Sequence, residues 1–335
     1  MNGELSHGLP RLITSGNRII RTDNNSAVLL RGVNRSGLEY SEPGATGFLA
    51  AAGISAAEIQ EIVQTWGSRI IRLPFNQDWA LNGRGDLQAG EYLQALDQVI
   101  EWSAALGAYT LLDLQWLDAD TVYGHLNDHA KSPNRVAPLP NALTIDLWAK
   151  LADRYRGETA VLFDLFNEPH DPLSDDFLPL FLIDESGNAF ESNADFVSEE
   201  EWLPWARRLV SVIRQIHPES LIFVGGLDWA FDLSRIRVNA PNIVYSTHVY
   251  PNRASRQWAA AFGDSAANVP VFVGEWGGSE EDLDWGKQFA DFLRSTPVAG
   301  WTAWSWQDKP FLLQSPRPPY LATAFGSLVA NELRT

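Results

Sequence analysis

Two glutamates, Glu168 in the segment LFNEPH and Glu275 in the segment VGEW, directly follow short apolar runs. A pair of carboxyl groups can cleave a glycosidic bond: one donates a proton to the leaving oxygen, and the other attacks or stabilises the anomeric carbon. The donor must stay protonated near neutral pH, which a dry, aromatic-lined place favours. The sequence therefore predicts an acid/base pair, with retention if the carboxyl groups lie about 5–5.5 Å apart and inversion at about 6.5–9.5 Å.

Other polar and aromatic residues also follow apolar runs. Arg72 and Tyr250 are suited to hold one carboxylate ionised through charge-assisted hydrogen bonds. For Asn34 and Glu39 a structural role and a site role both stay open, and Trp116 and Trp306 can be either cleft wall or core. The full set of predicted substrate-binding residues is Asn34, Glu39, Arg72, Gln115, Trp116, Asn167, His248, Tyr250, Trp304 and Trp306.

Eight apolar runs must position these residues. Most of the runs are separated by amphipathic stretches with helical periodicity. Eight such units in one chain predict an α/β fold, a (β/α)8 TIM barrel, in which site residues lie where strands end. A doubly wound sheet is the alternative, but no GxGxxG motif follows a strand, so its dinucleotide-binding version lacks a phosphate loop. The predicted strands cover residues 27–33, 69–73, 109–114, 161–166, 221–224, 243–247, 271–274 and 301–304.

We expect residues 1–335 to form a single catalytic barrel domain, in which residues 1–26 form a tail and a small β-hairpin. Ser55 and Thr144 are predicted helix caps, and a weak helix is predicted near residues 229–236. Long βα loops follow the third strand (116–141), the fourth (170–197) and the eighth (307–319). A loop as long as 170–197 is typical of a functional element, so we expect it to form a cleft wall or a lid.

The charge balance restricts the partners of the chain. Its 335 residues contain 25 Lys and Arg against 42 Asp and Glu, a formal net charge of −17. Such a chain repels phosphate backbones and anionic lipid, so neither nucleic acid nor a membrane is an expected partner. The lack of cysteine excludes disulfides and cysteine nucleophiles. His125 and His129 have a metal-like spacing, but they lack the HExxH glutamate and fall in a predicted loop, so no metal site is expected.

Five motifs occur in order at the predicted strand ends: RLPF, LFNEPH, HVYP, VGEWG and AWSW. This ordered set resembles glycoside hydrolase family 5, a cellulase-like family of barrel enzymes, from about residue 27 to the end of the chain. The resemblance implies Glu168 as acid/base and Glu275 as nucleophile of a retaining double displacement, without metal or organic cofactor. It also implies that Asn167 binds the sugar 2-hydroxyl and that Trp304 forms a platform under the sugar. The residues implied to orient or tune the pair are Arg72, Tyr250 and His248.

One departure from the family pattern concerns substrate recognition. Many members end strand three in Asp-x-His, whereas this chain has Gln115 in place of the histidine, followed by Trp116. Glutamine can both donate and accept hydrogen bonds, so a sugar hydroxyl can be bound in a different way. The departure affects the choice of substrate and leaves the carboxylate pair unchanged.

The resemblance favours a retaining β-glycoside hydrolase, most of all an endo-β-1,4-glucanase acting on a β-linked polysaccharide or oligosaccharide. Within the family the alternative is a β-mannanase or another β-glucanase or β-glucosidase, and outside enzymes it is a non-catalytic glycan-binding barrel. We expect a monomer that is secreted or periplasmic, because such polymers lie outside cells. The first residues, MNGELSHGLPRLIT, have no apolar stretch of the signal-peptide type, which indicates an intracellular protein or a signal already removed.

Overall fold

The N-terminal segment forms a small antiparallel sheet, described in a computed structural model of residues 8–118, 136–170, 181–183, 189–191 and 197–335. Its strands are β1 (Leu12–Ser15), β2 (Arg18–Arg21) and the short β3 (Ala27–Val28). The predicted hairpin is therefore confirmed and gains a third strand. The side chains of Leu12 and Ile19 are buried and pack against the amino ends of the following strands.

Eight parallel strands close into a barrel, as predicted. In chain order the remaining strands are β4 (Leu30–Asn34), β5 (Ile70–Asn76), β6 (Tyr109–Trp116), β7 (Val161–Asp164), β8 (Phe181–Ile183), β9 (Ala189–Glu191), β10 (Ile222–Gly225), β11 (Ile243–Val249), β12 (Val271–Trp276) and β13 (Gly300–Ala303). Within the described ranges, β8 and β9 pair only with each other. The other eight strands follow one another around the barrel until β13 pairs with β4. The barrel strands are buried along nearly their whole length because helices cover the outside.

The helices are amphipathic and pack on the barrel through their apolar faces. They are α1 (Phe48–Ala52), α2 (Ala56–Gln60), α3 (Gln77–Asn82), α4 (Ala89–Ala105), α5 (Ala142–Arg154), α6 (Glu199–Ile216), α7 (Ser255–Trp258), α8 (Leu283–Ser295) and α9 (Ala324–Leu333). Within the described residues, none of them combines the length and the apolar composition that crossing a membrane requires.

Two local predictions about helices are corrected, and one is confirmed. Ser55 caps α2, since its side chain accepts a hydrogen bond from the backbone of Glu58 at 3.3 Å. Thr144 is not the cap of α5: Asn141 accepts from the N–H of Leu143, and the helix begins three residues earlier than expected. An asparagine is as good a cap as threonine, and the two occur together in this segment.

The weak helix predicted near 229–236 does not form. Asp228, Trp229 and Ala230 have positive φ angles of 54°, 58° and 59°, which belong to left-handed backbone. Two isolated bridges, Gly226 with Ala230 and Leu227 with Asp232, close this segment into a tight loop after β10. The loop follows the carboxyl end of β10, and Leu233 and Ile236 after it are fully buried in the core.

The barrel interior changes in character along its strands. The amino ends contribute an apolar cluster that includes Leu30, Ile70, Leu111, Phe223 and Phe272, all of them buried. The carboxyl ends place charged and polar side chains inward instead, and the loops that follow them carry the residues singled out from the sequence. This second region is where a barrel can present a site to solvent.

Candidate active site

Glu168 and Glu275 meet at the carboxyl end of the barrel. Glu168 lies in the loop that follows β7, and Glu275 is the next-to-last residue of β12. His248 Nδ1 lies 2.8 Å from Glu168 Oε1 and 3.6 Å from Glu275 Oε2, and one carboxylate oxygen of each glutamate lies within 4.8 Å of the other. This oxygen–oxygen distance fits the close carboxyl groups of retaining glycosidases better than the wider spacing of inverting ones.

Glu275 is held by a cation and a hydroxyl. Arg72 Nη1 donates to Glu275 Oε1 at 2.8 Å, and the Tyr250 hydroxyl donates to Oε2 at 2.6 Å. Burial raises the pKa of Glu275 above its usual value, whereas Arg72 and Tyr250 stabilise the charged form. Both carboxylate oxygens thus receive a directed hydrogen bond, one of them charge-assisted, as the sequence predicts for an ionised carboxylate.

Glu168 has drier and less charged surroundings. Its side chain is buried, and burial raises the pKa of Glu168 to about 7, against the opposing effect of the charges of Arg72 and Arg253. Asn167 also hydrogen-bonds this carboxyl group. A carboxyl group with such a pKa still carries its proton in a large fraction of molecules near neutral pH, which is what a proton donor needs.

His248 lies between the two carboxyl groups as a neutral imidazole. Burial lowers the pKa of His248 to about 4, so it carries no charge near neutral pH. Its Nδ1 can accept a hydrogen bond from protonated Glu168, and in the other tautomer it can donate to the ionised form. This histidine can therefore accommodate both protonation states of Glu168 without adding a charge.

Arg72 is the centre of the polar interior. Its guanidinium is fully buried, and besides Glu275 it donates to Asp164 Oδ2 at 3.0 Å and to the side-chain oxygens of Asn34 and Asn167, both at 2.9 Å. Asn34 in turn donates to the carbonyl of Gly274 at 2.9 Å, directly before Glu275. Arg72 and Asn34 are thus fully buried and position the residues around Glu275, so neither side chain makes the substrate contact predicted for it.

Trp304 lies where a sugar platform is expected, in the loop directly after β13. Its side chain is 7% exposed, and its indole nitrogen donates to the carbonyl of Lys309 at 3.0 Å. The backbone N–H of Trp304 donates to the carbonyl of Trp276 at 2.8 Å, which attaches it to the end of β12. These bonds fix the indole ring in this loop and attach its backbone to Trp276, the residue after Glu275.

Gln115, Trp116 and Glu39 form another part of the same end of the barrel. Gln115 is 5% exposed, and its Oε1 has no hydrogen-bond partner within the described part of the chain. The ring of Trp116 lies 5.9 Å from that of Tyr40, centroid to centroid. Glu39 Oε2 accepts from the N–H of Gly37 at 2.6 Å, and burial raises the pKa of Glu39 to about 8. Among the described residues, Gln115 is thus a buried amide with an unpaired acceptor, which suits a residue that binds a sugar hydroxyl.

Trp306 is a core residue and does not line the cleft, contrary to the predicted binding role. It is fully buried, its ring packs edge-to-face on Trp66 at 4.8 Å between centroids, and its indole nitrogen donates to Glu58 Oε1 at 3.0 Å. Glu58 also pairs with the buried Arg35 at 2.9 Å. A ring enclosed in this way has no free face for a sugar, so the alternative of core packing applies.

Several residues of this region were not singled out from the sequence as site residues. Asp113 and Asp164 both face Arg72 from inside the barrel. Arg253 makes a bidentate ion pair with Asp228 at the rim on the side of Glu168. An isolated aspartate within an apolar run, as in VLFDLF, is the sequence signal that points to Asp164, because a buried charge requires a partner. The predicted features at 119–135 and most of 170–197, including the pair His125 and His129, lie outside the described residues.

Glu168, His248 and Glu275 offer ligand atoms close enough together to hold a metal ion. Arg72, however, already contributes a positive charge 2.8 Å from Glu275, and a divalent cation in the same place would be repelled by it. The donor set therefore fits proton transfer between carboxyl groups better than metal binding.

Comparison with known proteins places these features in a family. A family model described as Cellulase (glycosyl hydrolase family 5) matches residues 26–310. Endoglucanase E-5 of Thermobifida fusca is 23% identical over 305 residues, 85% of this chain and 53% of that protein. The Major extracellular endoglucanase of Xanthomonas campestris is 25% identical over 351 residues, 87% of this chain and 64% of that protein. The chain thus spans roughly half to two thirds of the length of these curated relatives.

Solved structures share the architecture. A β-glucanase from Saccharophagus degradans superimposes with a TM-score of 0.74 at 20% identity, over 99% of this chain and 95% of that one. The catalytic domain of a Thermobifida fusca endoglucanase does so with a TM-score of 0.69 at 20% identity, over 97% of both chains. At these identities the similarity establishes the barrel fold.

Proposed function

The chain belongs to the cellulase family, glycosyl hydrolase family 5, and from that premise we propose that it cuts internal β-1,4 bonds of a glucan with retention of anomeric configuration. One observation carries the proposal: two carboxyl groups approach within 4.8 Å in unequal surroundings. Glu275 receives a charge-assisted hydrogen bond from Arg72, whereas Glu168 has its pKa raised to about 7. The unequal pair matches the two parts that glycosidic cleavage requires.

In the first proposed step the ionised Glu275 attacks the anomeric carbon while Glu168 gives its proton to the leaving oxygen. The carbon–oxygen bond to the leaving sugar breaks, and a covalent ester between Glu275 and the remaining sugar forms. Before the attack, Arg72 and Tyr250 orient Glu275 and keep it ionised. Asn167 lies beside Glu168, where we assign it to the sugar 2-hydroxyl.

In the second proposed step Glu168, now ionised, removes a proton from water, and the oxygen of that water attacks the anomeric carbon. The ester bond breaks, the product leaves with its original configuration, and both glutamates return to their starting charge. His248 keeps contact with Glu168 through this cycle, since its neutral ring can serve as donor or acceptor. In the proposal it is a positioning residue for the acid/base.

The proposed substrate rests on the relatives and on the aromatic surfaces. The relatives named above are endoglucanases, and the Saccharophagus degradans β-glucanase is also known in complex with cellotetraose. Flat indole and phenol rings such as Trp304, Trp116 and Tyr40 suit the faces of pyranose rings. Gln115 is the position at which we expect a β-mannanase or another β-glucanase activity to be distinguished from a β-1,4-glucanase.

The bond cut and its stereochemistry are tested together by incubating the protein with soluble cellulose derivatives, mixed-linkage glucan, xyloglucan and mannan. We expect the viscosity of the cellulose derivative to fall well before reducing ends accumulate, and proton NMR to detect the β-anomer first. Early release of short oligosaccharides alone would contradict internal cutting, and an α-anomer as first product would contradict retention. Preference for mannan would move the assignment to the family alternative.

The proposed roles are tested with Glu275→Gly and Glu168→Gly, with Asp153→Gly on the exposed face as control. We expect both glutamate variants to lose at least about 10⁴-fold in kcat/KM on unactivated glucan. On an aryl β-glycoside whose leaving group needs no proton, added azide should rescue Glu275→Gly as an α-glycosyl azide and Glu168→Gly as a β-glycosyl azide, because it replaces the nucleophile in one and the water in the other. If both variants kept full activity and glycan binding, the hydrolysis would come from another protein in the sample. The chain would then be a non-catalytic glycan-binding barrel.

We propose that the protein acts outside the cytoplasm as a monomer. One of the relatives is named as an extracellular endoglucanase, and a polymeric substrate has to be met where it lies. Fractionation of the source cells, combined with light scattering of the purified protein, tests both statements. Activity confined to the cytoplasm, or a stable dimer at working concentration, would overturn them.

A further inference from the structure

Two buried aspartates lie directly beneath the proposed nucleophile, and the mechanism above does not use them. Asp113 of β6 and Asp164 of β7 are register partners on neighbouring strands, so their side chains leave the sheet side by side. Both are inside the barrel, with 0% and 1% of the side chain exposed. Within the described part of the chain, the one cation paired with both is Arg72, which also pairs with Glu275.

The charges in this group do not balance. Arg72 contributes one positive charge and faces three carboxyl groups at 2.8–3.0 Å, those of Asp113, Asp164 and Glu275. With all three ionised, the group would hold a net charge of about −2 in a region shielded from water, which is strongly unfavourable. Like-charged carboxyl groups in one dry site share protons instead. At least one of the three therefore carries a proton.

The hydrogen bonds identify which of the three carboxyl groups carries the proton. Arg72 Nε donates to Asp164 Oδ2, and Nη1 donates to Glu275, so these two receive directed charge-assisted bonds. The Nη2 group lies 2.9 Å from Asp113 Oδ1, but its aligned hydrogen bond goes to Asn167. Apart from this unaligned contact, no described residue donates a hydrogen bond to either carboxyl oxygen of Asp113. An ionised aspartate without a single directed donor is the least stable of the three, so the proton belongs to Asp113.

We propose that Asp113 is a neutral carboxylic acid while the enzyme works, and that its neutrality reserves the charge of Arg72 for Glu275. Asp113 is in this view a positioning residue that acts on the nucleophile through Arg72. The effect of Asp113 on the nucleophile rests on the proposed function. The protonation of Asp113 is independent of that function. Burial, with Asp164, Glu275 and Glu39 as further negative groups and Arg72 in opposition, raises the pKa of Asp113 well above its usual value, in agreement with the geometry.

The protonation state is tested by NMR on protein carrying ¹³C at the side-chain carboxyl of aspartate, so that protonated glutamates are silent. At pH 7 we expect a protonated-acid resonance that disappears in Asp113→Asn and persists in the surface control Asp153→Asn. It should also disappear in Asp164→Asn, because Asp113 then takes over the charge of Arg72 and ionises. Loss of a carboxylate resonance in Asp113→Asn would overturn the proposal, and so would an acid resonance that survives in both variants.

The effect on Glu275 is tested by the acid limb of the kcat/KM–pH profile, which reports ionisation of the free nucleophile. Asp113→Asn should leave the midpoint of that limb within about 0.3 pH unit, since no charge is removed. The double variant Asp113→Asn/Asp164→Asn should lower the midpoint by about one unit or more, because Arg72 then serves Glu275 alone. A purely structural role would change kcat without moving the midpoint.

A downward shift of about one unit in Asp113→Asn alone would show that Asp113 is ionised and would overturn the proposal. The two experiments distinguish a failure of the proposed function from a failure of the inference about Asp113. If the NMR result is as expected and no variant, nor the wild type, hydrolyses glucan, then the proposed function fails while the protonation of Asp113 stands. If glucan is hydrolysed and Asp113 is ionised, only this further inference fails.

Discussion

The two ends of the barrel interior are built from the same eight strands and have opposite chemistry. At the amino ends Leu30, Leu111, Phe223 and Phe272 fill the interior with apolar side chains. A few residues further along the same strands, the interior contains Arg72 among three carboxyl groups. The apolar end stabilises the fold by burying surface, whereas the polar end stores buried charge that is stable only as a set. Stability and chemistry are thus separated along the strand axis.

The strongest test of this separation compares Arg72→Met with Phe223→Ala. Removing Arg72 leaves buried carboxylates without a cation, and we expect a loss of about 3–5 kcal/mol in unfolding free energy together with at least about 10³-fold in kcat/KM. Removing the ring of Phe223 creates a cavity and should cost a similar 3–5 kcal/mol or so, with kcat/KM within about threefold. Denaturant unfolding and kinetics at a permissive temperature measure both quantities. An equal loss of activity in the two variants would contradict the separation.

Two neighbouring tryptophans extend the comparison to the loop after β13. Trp304→Ala removes the proposed platform and should lower kcat/KM by roughly tenfold to a hundredfold, with little change in melting temperature. Trp306→Phe keeps the packed ring but removes the hydrogen bond to Glu58, so it should cost about 1–3 kcal/mol of stability and leave kcat/KM nearly unchanged. If Trp306→Phe reduced activity as much as Trp304→Ala, Trp306 would contribute to activity despite its burial in the core, and the contrast between the two residues would fail.

The pH dependence of kcat/KM should be bell-shaped. The acid limb follows ionisation of Glu275, and the alkaline limb follows loss of the proton from Glu168, whose pKa lies at about 7. Tyr250→Phe removes the hydroxyl that stabilises ionised Glu275, so the acid limb should move up by about half a unit to one unit while the alkaline limb stays in place. A shift of both limbs, or activity that rises steadily into alkali, would contradict this division of roles.

The smallest expected effect concerns Glu39, a buried carboxyl group whose pKa is raised by burial to about 8. An acid with a raised pKa binds its proton more tightly when folded, so the unfolding free energy falls as pH rises from about 4.5 to about 8. Glu39→Gln removes this pH-dependent fall in the unfolding free energy. We expect its melting temperature to exceed that of the wild type by a few degrees at pH 8 and to match it near pH 5. A difference that does not depend on pH would show that Glu39 is ionised in the folded protein.

The barrel and the carboxylate pair were predictable because both leave regular signals. Strands buried on both faces are continuous apolar runs, and the polar residue that follows each run marks the carboxyl end of a strand. Glu168 and Glu275 are both found by this rule, although they are far apart in sequence. The positions of Arg72, Tyr250 and His248 around them follow from the same rule together with the family motifs.

The remaining errors concern side chains whose direction the sequence does not encode. Trp304 and Trp306 occur in one motif, AWSW, and nothing in the pattern tells which ring is fully enclosed in the core and which keeps a small exposed part. The segment at 228–230 has residues compatible with a helix, and only the long-range bridges of its loop show that it is left-handed. Asp113 and Asp164 were not assigned roles because a shared guanidinium is a property of the closed barrel and not of either strand.

The N-terminal sheet has a consequence for how material moves through the molecule. Leu12 and Ile19 cover the amino end of the barrel, and the chain beside them is attached by hydrogen bonds from Tyr109 to Pro10 at 2.7 Å and from Thr159 to Leu9 at 2.6 Å. Because apolar side chains fill the amino end, the polar interior of the barrel is reached from the carboxyl end. If the chain hydrolyses glucan as proposed, sugar, water and product all exchange at the carboxyl end, and product release there can limit turnover.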